Sequence, residues 1–243
     1  MWDQIDSSSI FFLRSTLFGI SKSLYGRKVN NLVASSEFDA FHLSYSGAYL
    51  TQFDRECTIV FKKMALKYSV EQNVFEFSLS DFFREMRRKN YGKNDRDMVF
   101  KSLIKNYNTV YCIDFNGKSF EGKSLKFFDY DNDRRKFIAK LDEKWIDFFN
   151  ETPNYQYNYA QRQSLPRGFC RWLHSYWSTF DHIPVMNIQE LLYRSKTGYK
   201  DKGNFKKIVL SALSKMIQIG FLDQRSHITY HGDIYAIKKN QSI

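Results

Sequence analysis

Five histidines, three cysteines and a scatter of carboxylates are the residues from which any metal or nucleophilic centre would have to be built. His227 and His231 stand four apart, a spacing that brings two imidazoles to one ion on a helix. The residues around them read instead as a hairpin, which separates them. His42, His174 and His182 are isolated, so the paired histidines that a rolling-circle initiator or relaxase sets beside its tyrosine nucleophile are missing. Cys57, Cys112 and Cys170 lie far apart, in no metal or redox spacing, and read as reduced thiols of a cytosolic protein. Asp129, Asp131 and Asp133 alternate like the opening of a calcium loop. Arg134 occupies the position that needs glycine and Lys140 the position that needs glutamate, so an exposed hairpin turn accounts for them better. Asp54 and Glu56 fall in the first turn of a helix, where the helix dipole favours carboxylates. No glycine-rich phosphate loop is present. These residues lead to the expectation of a protein with no catalytic site, metal or cofactor of its own.

The remaining chemistry is charge. Thirty-seven Lys and Arg against 26 Asp and Glu give a formal net charge of +11, which attracts polyanions, either nucleic acid or an acidic membrane surface. No apolar run approaches the ~20 residues of a membrane span, and the opening Met1-Trp2-Asp3-Gln4 lacks the basic region of a signal peptide. The expected partner is double-stranded DNA, the expected location the cytoplasm.

The basic residues cluster beside two segments. The first is Arg87, Arg88, Lys89 and Lys93, followed by Asn94, Arg96, Lys101 and Lys105. The second is Arg194, Lys196, Lys200 and Lys202, followed by Lys206, Lys207, Ser211, Ser214, Lys215 and Gln218. Arg and Lys bind phosphate or guanine, and Gln, Ser and Asn read base edges, so both sets are candidate DNA contacts.

Those residues need helices to present them. Thr51 with Asp54 caps a helix in which Cys57, Val60, Phe61, Met64 and Ala65 fall on one face, to about Tyr68. Val74 to Phe77 reads as a short strand, and Ser80 caps a helix from about Asp81 to Lys89. Tyr91-Gly92 breaks the chain, and a helix follows from about Asp95 to Tyr107, with Phe100, Leu103, Ile104 and Tyr107 as its apolar stripe. Val110 to Phe115 reads as a strand with the hairpin signal Asn116-Gly117 behind it, and Lys126 to Tyr130 and Lys136 to Leu141 as two more. The second half repeats the plan. Leu165, Phe169, Trp172, Leu173 and Tyr176 mark an amphipathic helix with Pro166 early in it. Asn187 caps a helix to about Arg194, Ser195 to Gly198 forms a turn, and a long helix runs from about Asn204 to Ile219, ended by Gly220. The last segments flank His231-Gly232-Asp233 as a second hairpin. The predicted architecture is α+β: two winged-helix domains, each a helix-turn-helix with a β-hairpin wing. They span residues 1–152 and 153–243, joined in the polar stretch Glu151 to Asn158.

Several short blocks then occur in one order: Arg14-Ser15-x-Leu17-Phe18; Tyr45-Ser46-Gly47 with Leu50-x-Gln52-x-Asp54; Phe77-Ser78-Leu79 before a helix; Arg171-Trp172-Leu173-His174-Ser175-Tyr176; and Phe205-x-x-x-Val209-x-x-Ala212-Leu213, ending in Gly220-Phe221-Leu222. Over most of its length the chain resembles the TrfA-type plasmid replication initiators. That resemblance implies two winged-helix domains that bind directly repeated origin sequences, called iterons. It further implies that the protein opens the origin with the host replication initiator, helps load the replicative helicase, and exchanges between dimer and DNA-active monomer. The chain departs from the family in its richness in Asn, Lys, Phe and Tyr and in lacking a long extension before the first block. Two other functions fit the composition: a winged-helix transcriptional repressor on a palindromic operator, and a DNA nickase.

Overall fold

A computed structural model of the chain describes residues 5–20, 26–34, 37, 41–71, 74–88, 90–151, 154–199 and 201–239. The chain divides into two compact units, Met1–Ser23 with Asn154–Ile243, and Leu24–Pro153. One boundary falls at Pro153, beside the expected cut after residue 152, but residues 1–23 group with the C-terminal segment instead of with the first half. The chain opens with β1 (Ile5–Ser9) and α1 (Ile10–Leu13), and β1 pairs antiparallel with the strand at Asn154–Asn158, inside the stretch expected to be a linker. A pairing of such long range leaves no local signal.

The unit Leu24–Pro153 contains β2 (Lys28–Val33), β3 (Phe41–Ala48), α2 (Gln52–Tyr68), β4 (Ser69–Glu71), β5 (Val74–Phe77), α3 (Leu79–Glu85), α4 (Lys93–Asn108), β6 (Val110–Phe115), β7 (Lys118–Lys123), β8 (Leu125–Asp131), β9 (Lys136–Leu141) and α5 (Glu143–Glu151). Its strands form two open antiparallel sheets, ordered β2-β3-β6-β7 and β4-β5-β9-β8. Asp54 fixes the start of α2, its Oδ2 accepting from the Thr51 N–H and hydroxyl, both at 2.8 Å. At α3 the cap is Ser78, not Ser80: Asp81 N–H donates to the Ser78 hydroxyl at 3.1 Å and Ser78 N–H to the Asp81 carboxylate at 3.0 Å, a reciprocal capping box. Asn116 and Gly117, both at positive φ, turn β6 into β7 as the sequence predicts. That hairpin joins the sheet of β3, however, and it is β8 and β9 that return to pair with β5. Of the aspartates that imitate a calcium loop, Asp129 and Asp131 belong to the end of β8 and Asp133 to the 132–135 turn, where Asp131 Oδ1 accepts from the Asp133 and Arg134 N–H groups, both at 3.0 Å. Gly47, the next-to-last residue of β3, has φ +145°, and a Cβ there would lie 2.9 Å from Thr109 Oγ1 and 3.0 Å from Thr109 Cα, so no larger residue fits without displacing Thr109. The core is aromatic, with Phe61 packed against Phe75, Phe77 and Phe82.

The other unit continues with β10 (Asn154–Asn158), α6 (Tyr159–Gln163), α7 (Phe169–Ser178), β11 (Met186–Asn187), α8 (Ile188–Ser195), α9 (Lys202–Gln218), β12 (His227–Ile228) and β13 (Asp233–Tyr235). Its three-stranded sheet is ordered β11-β13-β12. Helix α7 starts after Pro166, because Gly168 at φ +85° turns the chain immediately before Phe169. Trp172, Leu173 and Tyr176 then enter a core shared with Leu191 of α8 and with Phe205, Val209, Leu213 and Met216 of α9. Arg14 ties the first residues to the end of α7, its guanidinium donating to Thr179 Oγ1 at 2.8 Å and Thr179 O at 2.6 Å and lying over the Phe180 ring. Among the described residues, no helix is long and apolar enough to cross a membrane.

Candidate nucleic-acid interface

Helix α9 is set in place from both ends. Asp201 caps it, its Oδ1 accepting from Gly203 N–H at 2.8 Å, and Gly220 follows it at φ +72°, the left-handed conformation that ends a helix. With Phe205, Val209, Ala212, Leu213 and Met216 buried, the opposite face consists of Lys207, Leu210, Ser211, Ser214 and Gln218, spaced three and four apart and all exposed. Lys202 and Lys215 flank that face and are also exposed; Lys215 Nζ lies 3.3 Å from Gln218 Oε1. Lys206, expected among the reading residues, is half-buried instead and donates to Thr229 O at 3.2 Å, bracing the β12–β13 hairpin against the helix. In the last turn of α8, Arg194 bonds Glu190 at 2.9 and 3.0 Å, and Lys196, the αL residue that ends that helix at φ +48°, lies over the Tyr193 ring. Lys200 lies outside the described residues, as does Lys89.

Helix α4 presents a different surface from the one its hydrophobic pattern predicts. The buried stripe is Val99, Ser102, Leu103 and Asn106, one residue round from Phe100, Leu103, Ile104 and Tyr107. Two polar residues define it. Asn106 Nδ2 donates to Ser102 O at 2.9 Å, and its Oδ1 accepts from the Thr58 hydroxyl of α2 at 2.9 Å. Buried polar groups satisfied in this way pack as well as apolar ones, but hydropathy does not reveal them. The rotation leaves Phe100 42% exposed and Ile104 39% exposed, beside exposed Lys93, Asn94, Arg96 and Lys101. It also turns Lys105 inward. Its side chain is 10% exposed and its ammonium lies 3.1 Å from Asp54 Oδ2, a carboxylate that is itself 2% exposed. Arg88 is likewise committed, its guanidinium 3.0 Å from Asp95 Oδ1 and over the Phe53 ring. The expectation that Lys105 and Arg88 face outward to DNA is corrected: both hold the unit together. Arg87 is exposed but carries backbone geometry, at φ +54° in the turn that ends α3.

Sequence reasoning passed over the hairpin tips. Arg134, Arg135 and Lys136 bring three basic side chains to the β8–β9 turn, of which Arg134 and Lys136 reach Glu76 at 3.4 and 3.6 Å. The signal was available as an uninterrupted basic triplet. At the β12–β13 turn Tyr230 is 93% exposed.

The groups that could do chemistry are occupied otherwise. His227 Nδ1 is 2.9 Å from Arg225 O with its ring stacked on Tyr235, while the His231 ring meets Tyr230 edge-on. His174 is buried with Nε2 3.1 Å from Gln161 Oε1, and burial, aided by the charges of Arg162 and Lys238, pulls its pKa down to about 3. Burial pushes the Cys57 thiol far up and that of Cys170 up to about 11, so neither offers a thiolate. No group of three His, Cys, Asp or Glu able to hold a metal ion occurs among the described residues.

No protein-family model matches the sequence, and a search of curated proteins finds no match. Solved structures do match. A structure of domains 2 and 3 of RctB superposes with a TM-score of 0.59 at 13% identity, over 96% of this chain and 98% of that one. A second structure of RctB domains 2–3 gives a TM-score of 0.53 at 11% identity, over 91% and 95%. At these identities the likeness is one of fold, and it extends over nearly the whole chain.

Proposed function

We propose that this chain is a plasmid replication initiator that binds directly repeated duplex DNA at an origin through two winged-helix units, without a catalytic step of its own. The observation that carries the proposal is the repeated plan. In one unit α7, β11, α8, α9, β12 and β13 follow in order, with the sheet running β11-β13-β12. In the other, α2, β5, α3, α4, β8 and β9 do the same, with β5-β9-β8 in the sheet and the β6–β7 hairpin inserted before the wing. In both, the third helix presents basic and polar residues outward, joined on α4 by exposed Phe100 and Ile104, as a helix that enters the major groove would. Domains 2 and 3 of RctB share the fold, and the sequence resemblance to the TrfA type points to an initiator. On this reading the partners are origin DNA, the host initiator and the replicative helicase, and the protein works in the cytoplasm as a monomer drawn from a dimer.

The test is footprinting of the intact chain on DNA flanking its gene. Protection of tandem head-to-tail repeats supports the initiator. A single palindromic footprint would make the protein a repressor, because a symmetric dimer imposes its two-fold axis on the site. Metal-dependent nicking of supercoiled DNA would make it an enzyme.

A further inference from the structure

We infer that Leu210 reads a thymine: with α9 in the major groove, the leucine side chain packs on a thymine C5-methyl, so the base pair under the middle of the helix is A·T. The inference rests on the proposed reading of α9 as a DNA-entering helix and adds what that helix selects. Leu210 is 45% exposed, whereas Phe205, Val209, Leu213 and Met216 of the same helix are all buried. It is the large apolar side chain of an otherwise polar outward face, between Lys207 one turn before it and Ser214 one turn after, with Ser211 adjacent. One turn before Leu210 on the same side, Lys206 is fixed to Thr229 O, so its ammonium is drawn toward the hairpin instead of over the leucine.

The surroundings specify the occupant. Lys202, Lys207 and Lys215 ring the face with positive charge, which fits a polyanion and opposes an ordinary apolar partner surface. The major groove of DNA offers an apolar group within a polyanionic wall, and that group is the thymine methyl. The other side chains agree. Helix α9 contains no arginine, the commonest reader of guanine, while Gln218 has the donor and acceptor pair that matches adenine and the serines suit either base.

The experiment begins with selection of duplexes from a random-sequence pool by the full chain, followed by replacement of each thymine of the selected duplex, one at a time, with deoxyuridine. Deoxyuridine keeps every hydrogen bond and removes only the methyl. At one position wild-type affinity should fall about three- to fivefold, the worth of one methyl group withdrawn from water. Leu210→Ala, with melting temperature unchanged, should be indifferent to deoxyuridine at that same position. If the wild type and Leu210→Ala respond alike at every thymine, the assignment of Leu210 is wrong while DNA reading stands. If no duplex is enriched at all, the DNA-reading function falls and this inference with it.

Discussion

Two kinds of lysine distinguish the surface of this protein from its interior, and salt separates them. Lys207 and Lys215 are exposed on and beside the outward face of α9, and neither belongs to its buried stripe. If both contact phosphates, replacing both with alanine removes two counterion-releasing contacts. The slope of log affinity against log salt then falls in magnitude by about 1.8, roughly 0.9 for each contact. Between 50 and 200 mM salt that change in slope makes the deficit of the variant about twelvefold larger at the low-salt end. Stability should hardly move, since exposed helix substitutions change it by no more than ~0.5 kcal/mol. The bond from Lys215 to Gln218, 3.3 Å and exposed, does not alter that figure appreciably. Fluorescence anisotropy of a labelled duplex, titrated at four salt concentrations with wild type and variant, measures the slope directly. Parallel lines for the two proteins would show that neither lysine meets a phosphate, and α9 would have to be removed from the interface.

Lys105 should behave in the opposite way. Lys105→Met removes the ammonium beside the buried Asp54 carboxylate, at a cost of about 3 kcal/mol in chemical denaturation, while the salt slope of the remaining folded protein stays that of the wild type. Arg87 and Lys196 hold left-handed backbone at helix ends, so Arg87→Gly and Lys196→Gly should each raise stability by up to ~1 kcal/mol, and a loss in either would mean that the side chain contributes more than its backbone strain costs. His174 is neutral in the folded protein down to about pH 3 but takes up a proton near its ordinary value when unfolded. Its contribution is therefore intact above pH ~6.5 and is lost progressively as the pH falls toward 3. His174→Gln should flatten the fall of thermal stability across that window, and an unchanged pH profile would assign the acid sensitivity elsewhere.

Much of the local structure was legible. Val74–Phe77, Val110–Phe115 and Lys136–Leu141 are strands where alternation places them, and Thr51, Asn187 and Gly220 punctuate helices as their residue types require. Failures arose where the deciding interaction is distant or polar. Asn116-Gly117 announces a hairpin but carries no information about which sheet the hairpin joins, and β3 claims β6 through pairing from Phe41↔Phe115 to Ser46↔Val110. Asn106 and Ser102 rotate α4 because their hydrogen bonds are satisfied by neighbours, including Thr58 on another helix, and that rotation decides the inward fate of Lys105. Exposure is likewise a three-dimensional property: in the sequence Leu210 is one more apolar residue of a helix already rich in them.

The pairing of β1 with β10 has a consequence for how the protein is made. On the ribosome, residues 5–20 emerge well before residues 154–158, and Phe11, Phe12, Leu13, Leu17 and Phe18 are destined for burial. The partner strand, Asn154–Asn158, is not synthesised until all of residues 24–153 have followed. At roughly 5–20 residues per second, that is a wait on the order of ten seconds during which an aromatic segment stands without its strand. That aromatic segment of the nascent chain is therefore open to chaperone capture and to self-association, in an interval that closes when the second strand leaves the exit tunnel.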